Sequence, residues 1–288
     1  MELFLETFPA RVINLDRSRD RWIRFCRGFN ETVPEISFER VSGVDGLEYL
    51  SAPTLWTRTL ERLQRIFRVE HTSTKSKEQQ RWNPALLQKL QTEGIVGKTY
   101  LLDPVRTALC MSHQRALQLF LNEWKETRSD PASTWGMIFE DDARPGEALA
   151  SCRDSRIEIN VPEDSELLFL HDRTWKRGAS QTDKSPECVE WRIVRGGIGL
   201  EAYAFNVFGA RKMLQAFRPV VEECDIQLMT FMEGYADLEK QRRVHKKLND
   251  EGVTDFPKIT AYAPVSPLFQ TDHWQPSVKF DTMVEAGV

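Results

Sequence analysis

The sequence predicts an α/β fold in which helices flank a mostly parallel sheet. Residues 11–15 form the first predicted strand, and a helix follows it through about Phe25. A second strand over residues 37–41 completes a strand–helix–strand unit, which is typical of parallel sheets. Further along, the short apolar run at residues 135–139 indicates a strand that is buried on both faces.

The remaining elements follow from similar local patterns. Apolar residues at helical spacing predict a helix from Val105 through about Lys125, and another helix is predicted over residues 210–217. Short apolar runs predict three more strands, at residues 167–170, 202–208 and 259–263. We therefore expect a single domain over residues 1–288, with an insertion of helix and loop at residues 51–104.

The composition excludes several classes of protein. Hydrophobic residues make up 41% and charged residues 28% of the 288, which is typical of a globular chain. A net charge of −4 argues against a nucleic-acid partner. No apolar run approaches the roughly 18 residues of a transmembrane helix, and the acidic N-terminus does not resemble a signal peptide. We expect a cytoplasmic protein with no integral membrane segment, for which peripheral membrane contact stays open.

The insertion carries a strong basic bias. Residues 58–81 hold seven Lys and Arg against three Glu, within an acidic chain. One interpretation is a solvated helical insertion with a mobile loop. The other is a basic lid, formed around residues 71–77, that contributes to the acceptor side of a cleft and favours an acidic acceptor.

Three consecutive carboxylates, Glu140, Asp141 and Asp142, directly follow the predicted strand at residues 135–139. A surface turn would explain them without any function. However, open α/β sheets bind ligands beyond the carboxyl ends of their strands. In extended chain Glu140 and Asp142 would point to one face and Asp141 to the other. Two carboxylates on one face suit Mn²⁺ or Mg²⁺, which complete their coordination with water and phosphate oxygens.

Several segments in order resemble glycosyltransferase family 25, the lipooligosaccharide and collagen galactosyltransferase type. The resemblance extends from residue 12 to about residue 277. The segments that carry it are Val12-Ile13-Asn14-Leu15-Asp16-Arg17 with Arg21, Ser42-Gly43-Val44-Asp45-Gly46, Leu109-Cys110-Met111-Ser112-His113, Phe139-Glu140-Asp141-Asp142-Ala143, Ala202-Tyr203-Ala204-Phe205 followed by Gly209-Ala210-Arg211-Lys212-Met213-Leu214 and Asp225, and the tail from Pro267-Leu268-Phe269-Gln270 to Ser277.

The resemblance implies a fold, a reaction and a cofactor. The fold is an A-type glycosyltransferase domain, a Rossmann-like sheet with the acidic motif at a strand end. The reaction is the transfer of a hexose, galactose or glucose, from a UDP-sugar to a hydroxyl of a glycan or another acceptor, with inversion at the anomeric carbon. The implied cofactor is Mn²⁺ or Mg²⁺.

Roles for individual residues follow from the resemblance and from the chemistry. Asp142 is expected to bind the metal directly, and Glu140 to bind the metal or the nucleotide ribose. Asp141 is a further candidate for contact with the nucleotide. The remaining candidate ligand contacts are Arg17 and Arg21, which could clamp a phosphate, and His113, which could touch the diphosphate or the sugar.

Inversion also needs a base that takes the proton of the acceptor hydroxyl. The candidates are Asp225, His171, Asp172 and His273. Asp225 is preferred because it stands where the family pattern has its Asp, although an Asp at a helix start has a structural explanation as well. Two rival functions stay open: a metal-dependent phosphohydrolase, and a descendant of the family that binds a nucleotide sugar or a protein without catalysis.

Overall fold

The computed structural model describes residues 2–50, 82–150, 158–171, 177–181, 189–197 and 199–271. The basic segment at residues 58–81, with the expected loop at residues 71–77, lies outside these ranges. The strands are β1 (Glu2–Phe4), β2 (Ala10–Asn14), β3 (Phe38–Ser42), β4 (Trp135–Glu140), β5 (Ala143–Pro145), β6 (Glu158–Asn160), β7 (Leu167–Phe169), β8 (Arg177–Gln181), β9 (Trp191–Val194), β10 (Ala202–Asn206), β11 (Ala261–Pro264) and β12 (Phe269–Thr271). The helices are α1 (Arg19–Thr32), α2 (Pro84–Thr92), α3 (Pro104–Thr127), α4 (Glu147–Ala150), α5 (Val207–Ala216), α6 (Cys224–Met229) and α7 (Leu238–Asp250). Among the residues described, none of these helices combines the length and the apolar character needed to cross a membrane.

Eight of the strands form one mixed sheet in the order β3-β2-β4-β10-β7-β11-β9-β8. The predicted unit of β2, α1 and β3 is confirmed, because β2 and β3 are parallel neighbours. Among the described pairs of this sheet, β2–β4 and β7–β11 are also parallel, whereas β10 runs antiparallel to both β4 and β7. The expectation of a mostly parallel sheet is therefore wrong, because a short apolar run indicates burial but not the direction of a strand.

The sheet is buried on both faces, and each face has its own core. On one face, Ile13, Ile138 and Phe205 pack with apolar residues of α3, α5, α6 and α7. On the other face, Val12 and Phe139 pack with apolar residues of α1. Successive residues of β2 and β4 supply the two cores in turn, as the alternation of strand side chains requires. Burial of each large apolar side chain contributes about 1.5–3 kcal/mol to stability. The packing of β2 and β4 on both faces therefore holds their carboxyl ends in fixed positions.

Helix α1 extends beyond its predicted end at Phe25 because its second half also reaches the core. The rings of Phe25 and Phe29 are stacked with their centroids 4.1 Å apart, and both side chains are fully buried. Phe29 in turn contacts the ring of Phe139 in β4, at a centroid distance of 5.1 Å. The packing of these aromatic side chains stabilises the last turns of the helix, which end at Thr32.

The N-terminus of α3 packs against the loop that follows β3. Asp103 caps the helix, because its Oδ1 accepts the backbone N–H groups of Val105 and Arg106 at 3.0 and 3.1 Å. A Cβ atom on Gly46 would lie only 2.4 Å from the Cα of Val105. Gly46 therefore permits the loop at residues 43–46 to approach the backbone of α3 closely, beside the carboxyl end of β2.

Replacing Gly46 with alanine should destabilise the protein by about 1–3 kcal/mol, the usual cost of an extra methyl group in a packed site. The new Cβ would overlap the backbone of Val105 and force the loop away from α3. Urea unfolding followed by circular dichroism measures the change. Gly28→Ala in α1 is the matched control, because its Cβ meets only the Cδ of Arg144, at 3.5 Å. Alanine favours helix by up to about 1 kcal/mol over glycine, so this control should gain stability. Equal effects of the two substitutions would contradict the close approach.

Candidate functional site

The carboxyl ends of β2 and β4 lie together at one edge of the sheet, because these strands are parallel neighbours. A small cleft with a volume of about 30 Å³ lies at this edge. Its lining residues are Ile13, Leu15, Arg17, Val44, Asp45, Gly46, Val105, Leu109, Ser112, Glu140 and Asp141.

Glu140 and Asp141 point in different directions, as the alternation of a strand predicts. Glu140 reaches α3, where its Oε1 lies 3.3 Å from Nε2 of His113. Asp141 turns towards α1 and accepts hydrogen bonds from Nδ2 of Asn14, at 2.6 Å, and from Nη2 of Arg21. With only 3% of its surface exposed, Asp141 is held by protein donors and contributes little area to the cleft.

Asp142 lies near two charges of opposite sign. Its Oδ2 is 3.9 Å from Nη2 of Arg21, the same guanidinium that pairs with Asp141, and the negative charge of Glu140 acts on it as well. Because β4 ends at Glu140, the alternation of a strand does not extend to Asp142. Asp142 is 8% exposed, and its Oδ1 is buried without a hydrogen-bond partner among the described residues. A buried carboxylate oxygen that lacks a donor is costly.

The environment of these carboxylates changes their acidity. Burial raises the pKa of Asp142 to about 6, the negative charge of Glu140 adds to this shift, and Arg21 opposes it. Burial also raises the pKa of Asp141, although Arg21 and the hydrogen bond from Asn14 act against it. Asp142 is therefore ionised near neutral pH at a cost in free energy, because its nearest cation is shared with Asp141.

Glu140 and Asp142 are the residues at this edge that could hold a divalent cation. The buried Oδ1 of Asp142 lacks a donor among the described residues, and the charge of Glu140 affects the pKa of Asp142. The described residues contain no group of three His, Cys, Asp or Glu side chains that could enclose a metal ion. Two carboxylates would therefore leave most coordination positions of an ion such as Mn²⁺ or Mg²⁺ to water or phosphate oxygens.

His113 lies beneath Glu140 with no exposed surface. Its Nδ1 is 2.9 Å from the hydroxyl oxygen of Tyr203, and its Nε2 faces Glu140. Burial lowers the pKa of His113 to about 3 and raises that of Tyr203 well above its usual value. The imidazole is therefore neutral, and one tautomer satisfies both contacts: Nε2–H donates to Glu140, and Nδ1 accepts from Tyr203.

This position argues against the expected contact of His113 with a diphosphate or a sugar. The side chain instead orients Glu140 from within the core. Tyr203 completes this chain of hydrogen bonds, and the sequence analysis assigned it no role. A tyrosine in an otherwise apolar buried strand was the available signal, because a buried tyrosine hydroxyl usually has a hydrogen-bond partner.

The two arginines that follow β2 occupy different positions. Arg21 is 6% exposed and lies between Asp141 and Asp142. It therefore compensates the charge of these carboxylates, and its position does not favour the expected contact with a phosphate. Arg17 lines the cleft, and its Nε donates to Oδ2 of Asp45 at 2.7 Å. Arg17 is thus the better placed of the two to meet a ligand.

Asp225 lies in the first turn of α6, so the structural explanation for an acid at a helix start applies to it. Its Oδ2 accepts the backbone N–H of Gly199 at 2.8 Å, and its Oδ1 accepts that of Ile226 at the same distance. The carboxylate is half-buried. Its negative charge also acts on His113, so the fold brings Asp225 close to the residues that hold Glu140.

His171 and Glu201 form a buried pair on the same edge of the sheet. Nδ1 of His171 lies 3.8 Å from Oε2 of Glu201, and both residues are almost fully buried. The backbone carbonyl of Glu201 accepts the N–H of Glu140 at 2.8 Å, which places the pair beside the carboxylates. The sequence analysis missed Glu201, for which an acid directly before an apolar strand was the only signal. Asp172 and His273 lie outside the described residues.

No protein-family model matches the chain, and no curated protein matches it.

Replacing Asp142 with asparagine should stabilise the metal-free protein at pH 8 by on the order of 1–3 kcal/mol. The reason is that folding raises the pKa of Asp142 from 3.8 to about 6, so stability is lost as the pH rises from about 4 to about 6 and stays lower above that range. The gain should shrink towards pH 4. Urea unfolding in the presence of a chelator measures it.

Asp141→Asn is the control for this prediction. This substitution removes the carboxylate closest to the buried Arg21. Loss of one partner of a buried ion pair usually lowers the free energy of unfolding by about 3–5 kcal/mol. If Asp142→Asn destabilises the protein at pH 8 as strongly as Asp141→Asn does, Asp142 has a compensating partner and our description of its environment is incorrect.

Proposed function

We propose that the protein is an inverting, cation-dependent glycosyltransferase that moves galactose or glucose from a UDP-sugar to a hydroxyl of a glycan or another acceptor. The observation that carries the proposal is the buried Oδ1 of Asp142, which lacks a donor among the described residues, in a carboxylate whose pKa is also raised by the charge of Glu140. The two residues follow one another closely at the carboxyl end of β4, the kind of sheet edge at which α/β proteins bind ligands. The resemblance of residues 139–143 to the acidic element of glycosyltransferase family 25 supports the same assignment.

Glu140 and Asp142 are the residues that would hold Mn²⁺ or Mg²⁺. When bound, such a cation stabilises the negative charge that develops on a departing diphosphate. The neutral imidazole of His113 keeps the carboxylate of Glu140 in position from the core side. Arg21 limits the repulsion between Asp141 and Asp142. The protein thus positions Glu140 before any substrate binds.

Arg17 is the residue that would meet the diphosphate. Its guanidinium pairs with Asp45 across the cleft, and a phosphate would replace that carboxylate as the partner. The planar guanidinium matches phosphate oxygens with two parallel hydrogen bonds. Because the cleft now has a volume of only about 30 Å³, we expect donor binding to move the loop at residues 43–46 away from β2.

The transfer step needs a base on the acceptor side. The acceptor oxygen attacks the anomeric carbon as the bond from that carbon to the diphosphate oxygen breaks, and the diphosphate leaves with the electron pair. The base takes the proton of the acceptor hydroxyl. Asp225 is half-buried, whereas His171 has no exposed surface, so we assign this role to Asp225.

The two rival functions give different products. A phosphohydrolase would release phosphate or a nucleotide without an acceptor, and a non-catalytic descendant would bind the nucleotide sugar unchanged. A screen of UDP-hexoses with and without glycan acceptors separates the three functions. Hexose transfer that depends on an acceptor supports the proposal, and hydrolysis or binding alone contradicts it.

Replacing Asp142 with alanine should weaken Mn²⁺-dependent binding of UDP at least tenfold, about 1.4 kcal/mol, because one of the two proposed metal ligands is lost. Isothermal titration calorimetry measures the affinity. Glu126→Ala is the matched control, since it removes an exposed carboxylate of α3 far along the helix and should leave binding unchanged. Equal affinities of wild type and Asp142→Ala in the presence of Mn²⁺ would rule out the assignment.

A further inference from the structure

A larger groove lies beside the candidate cleft, along the exposed side of α3. Its volume is about 300 Å³, at the lower end of the roughly 300–1,000 Å³ that is usual for small-molecule sites. Val44 lines both the cleft and the groove. On α3, Ser112 lines the cleft and Arg115 lines the groove. Three helical residues span only about 4.5 Å along the axis, so the two sites are adjacent.

Two arginines supply the charge of the groove. Arg115 donates from Nη1 to the carbonyl oxygen of Ser42 at 3.2 Å, and Arg218 donates from Nε to Oε1 of Gln114 at 3.0 Å. Gln114 is itself 4% exposed and is fixed by a hydrogen bond to the carbonyl of Phe217. Each guanidinium has five N–H donors, so these contacts anchor the arginines and use a small part of their capacity.

Neither guanidinium has a carboxylate partner within the part of the chain that the structure describes. Arg115 contributes to the lowered pKa of Asp16, but the carboxylate of Asp16 is paired with Arg40 at 2.8 Å. For Arg218, the contact with the neutral Gln114 does not balance the charge. The groove therefore presents two cations that an anionic ligand would neutralise.

The uncharged residues that line the groove indicate which neutral group could accompany the anionic group of a ligand. Val44, Ile95, Met111 and Leu119 form an aliphatic wall, and 37% of the surface of Leu119 is exposed. Gln118, at the same groove, offers an amide that can bind hydroxyl groups. A sugar ring suits these walls, since its C–H face packs on aliphatic side chains and its hydroxyls reach the amide.

Other anionic ligands fit the groove less well. The residues that line it include no aromatic side chain on which a nucleotide base could stack. They include no lysine, and the N-terminal turn of α3 faces the other cleft. Phosphate sites usually rely on a helix N-terminus or a nest of backbone N–H groups. A carboxylate needs neither of these features, and the two guanidinium groups alone can bind it, so it is the better match.

We propose that this groove binds a carboxylate-bearing sugar of the acceptor glycan, which presents a neighbouring hydroxyl to the cleft. This inference rests on the proposed glycosyltransferase function, and it specifies the acceptor as an acidic glycan. It uses residues that are distinct from the proposed metal ligands, so the two assignments can fail separately.

Ligand-observed NMR on the full chain tests the proposal with methyl β-glucuronide and, as the neutral match, methyl β-glucoside. Wild type should bind the glucuronide at least tenfold more tightly. The double variant Arg115→Gln/Arg218→Gln should lose this preference and retain its affinity for Mn²⁺ and UDP. Arg24→Gln, an exposed arginine of α1, is the control and should keep the preference. Thermal unfolding verifies that each variant is folded, and the single variants Arg115→Gln and Arg218→Gln replace the double variant if it is not.

Two results would overturn the inference: no preference for the glucuronide in wild type, or a preference that survives both arginine substitutions. Tighter binding of glucose 6-phosphate than of the glucuronide would overturn the choice of a carboxylate. If the groove binds the glucuronide but the protein does not bind UDP with Mn²⁺, the proposed glycosyltransferase function fails, and the acceptor role of the groove fails with it. If UDP and Mn²⁺ bind and the glucuronide does not, only the groove inference fails.

Discussion

Three consecutive carboxylates at the end of β4, two of them buried, determine the design of the site. Each buried carboxylate needs a donor or a cation, because an ionised group without one is strongly disfavoured in the interior. Glu140 receives a hydrogen bond from His113, and Asp141 receives two, from Asn14 and Arg21. Asp142 has a more distant contact with the guanidinium of Arg21, and its Oδ1 is buried without a hydrogen-bond partner among the described residues. The proposed cation would compensate this carboxylate.

The compensating groups come from separate parts of the chain, so the site depends on the whole sheet. Asn14 ends β2, Arg21 belongs to α1, His113 to α3 and Tyr203 to β10. The sheet brings β2 and β10 to either side of β4, and the two cores fix α1 and α3 on its opposite faces. Glu140 ends β4, whereas Asp142 lies in the turn that follows, so the packed sheet fixes Glu140 more firmly than Asp142.

From the sequence, the secondary structure and the position of the carboxylates could be predicted better than the residues that contact those carboxylates. Apolar runs and helical spacing located β4 and α3 within two residues at each end, because these patterns report burial directly. The direction of β10 could not be predicted, since a buried strand is apolar whichever way it runs. The contact of Tyr203 with His113 and the position of Glu201 beside Glu140 could not be predicted either, because these residues are far apart in the chain and no local pattern links them.

The central claim is that the end of β4 binds a nucleotide through a divalent cation. Anomalous X-ray diffraction from crystals of the protein with Mn²⁺ and UDP tests it most directly, because the manganese signal locates the ion without reference to any mechanism. The account predicts a manganese peak in coordination contact with the carboxylate of Asp142, with diphosphate oxygens of UDP as further ligands. A manganese ion and UDP bound elsewhere, with the carboxylate of Asp142 still buried and without a new partner, would contradict it.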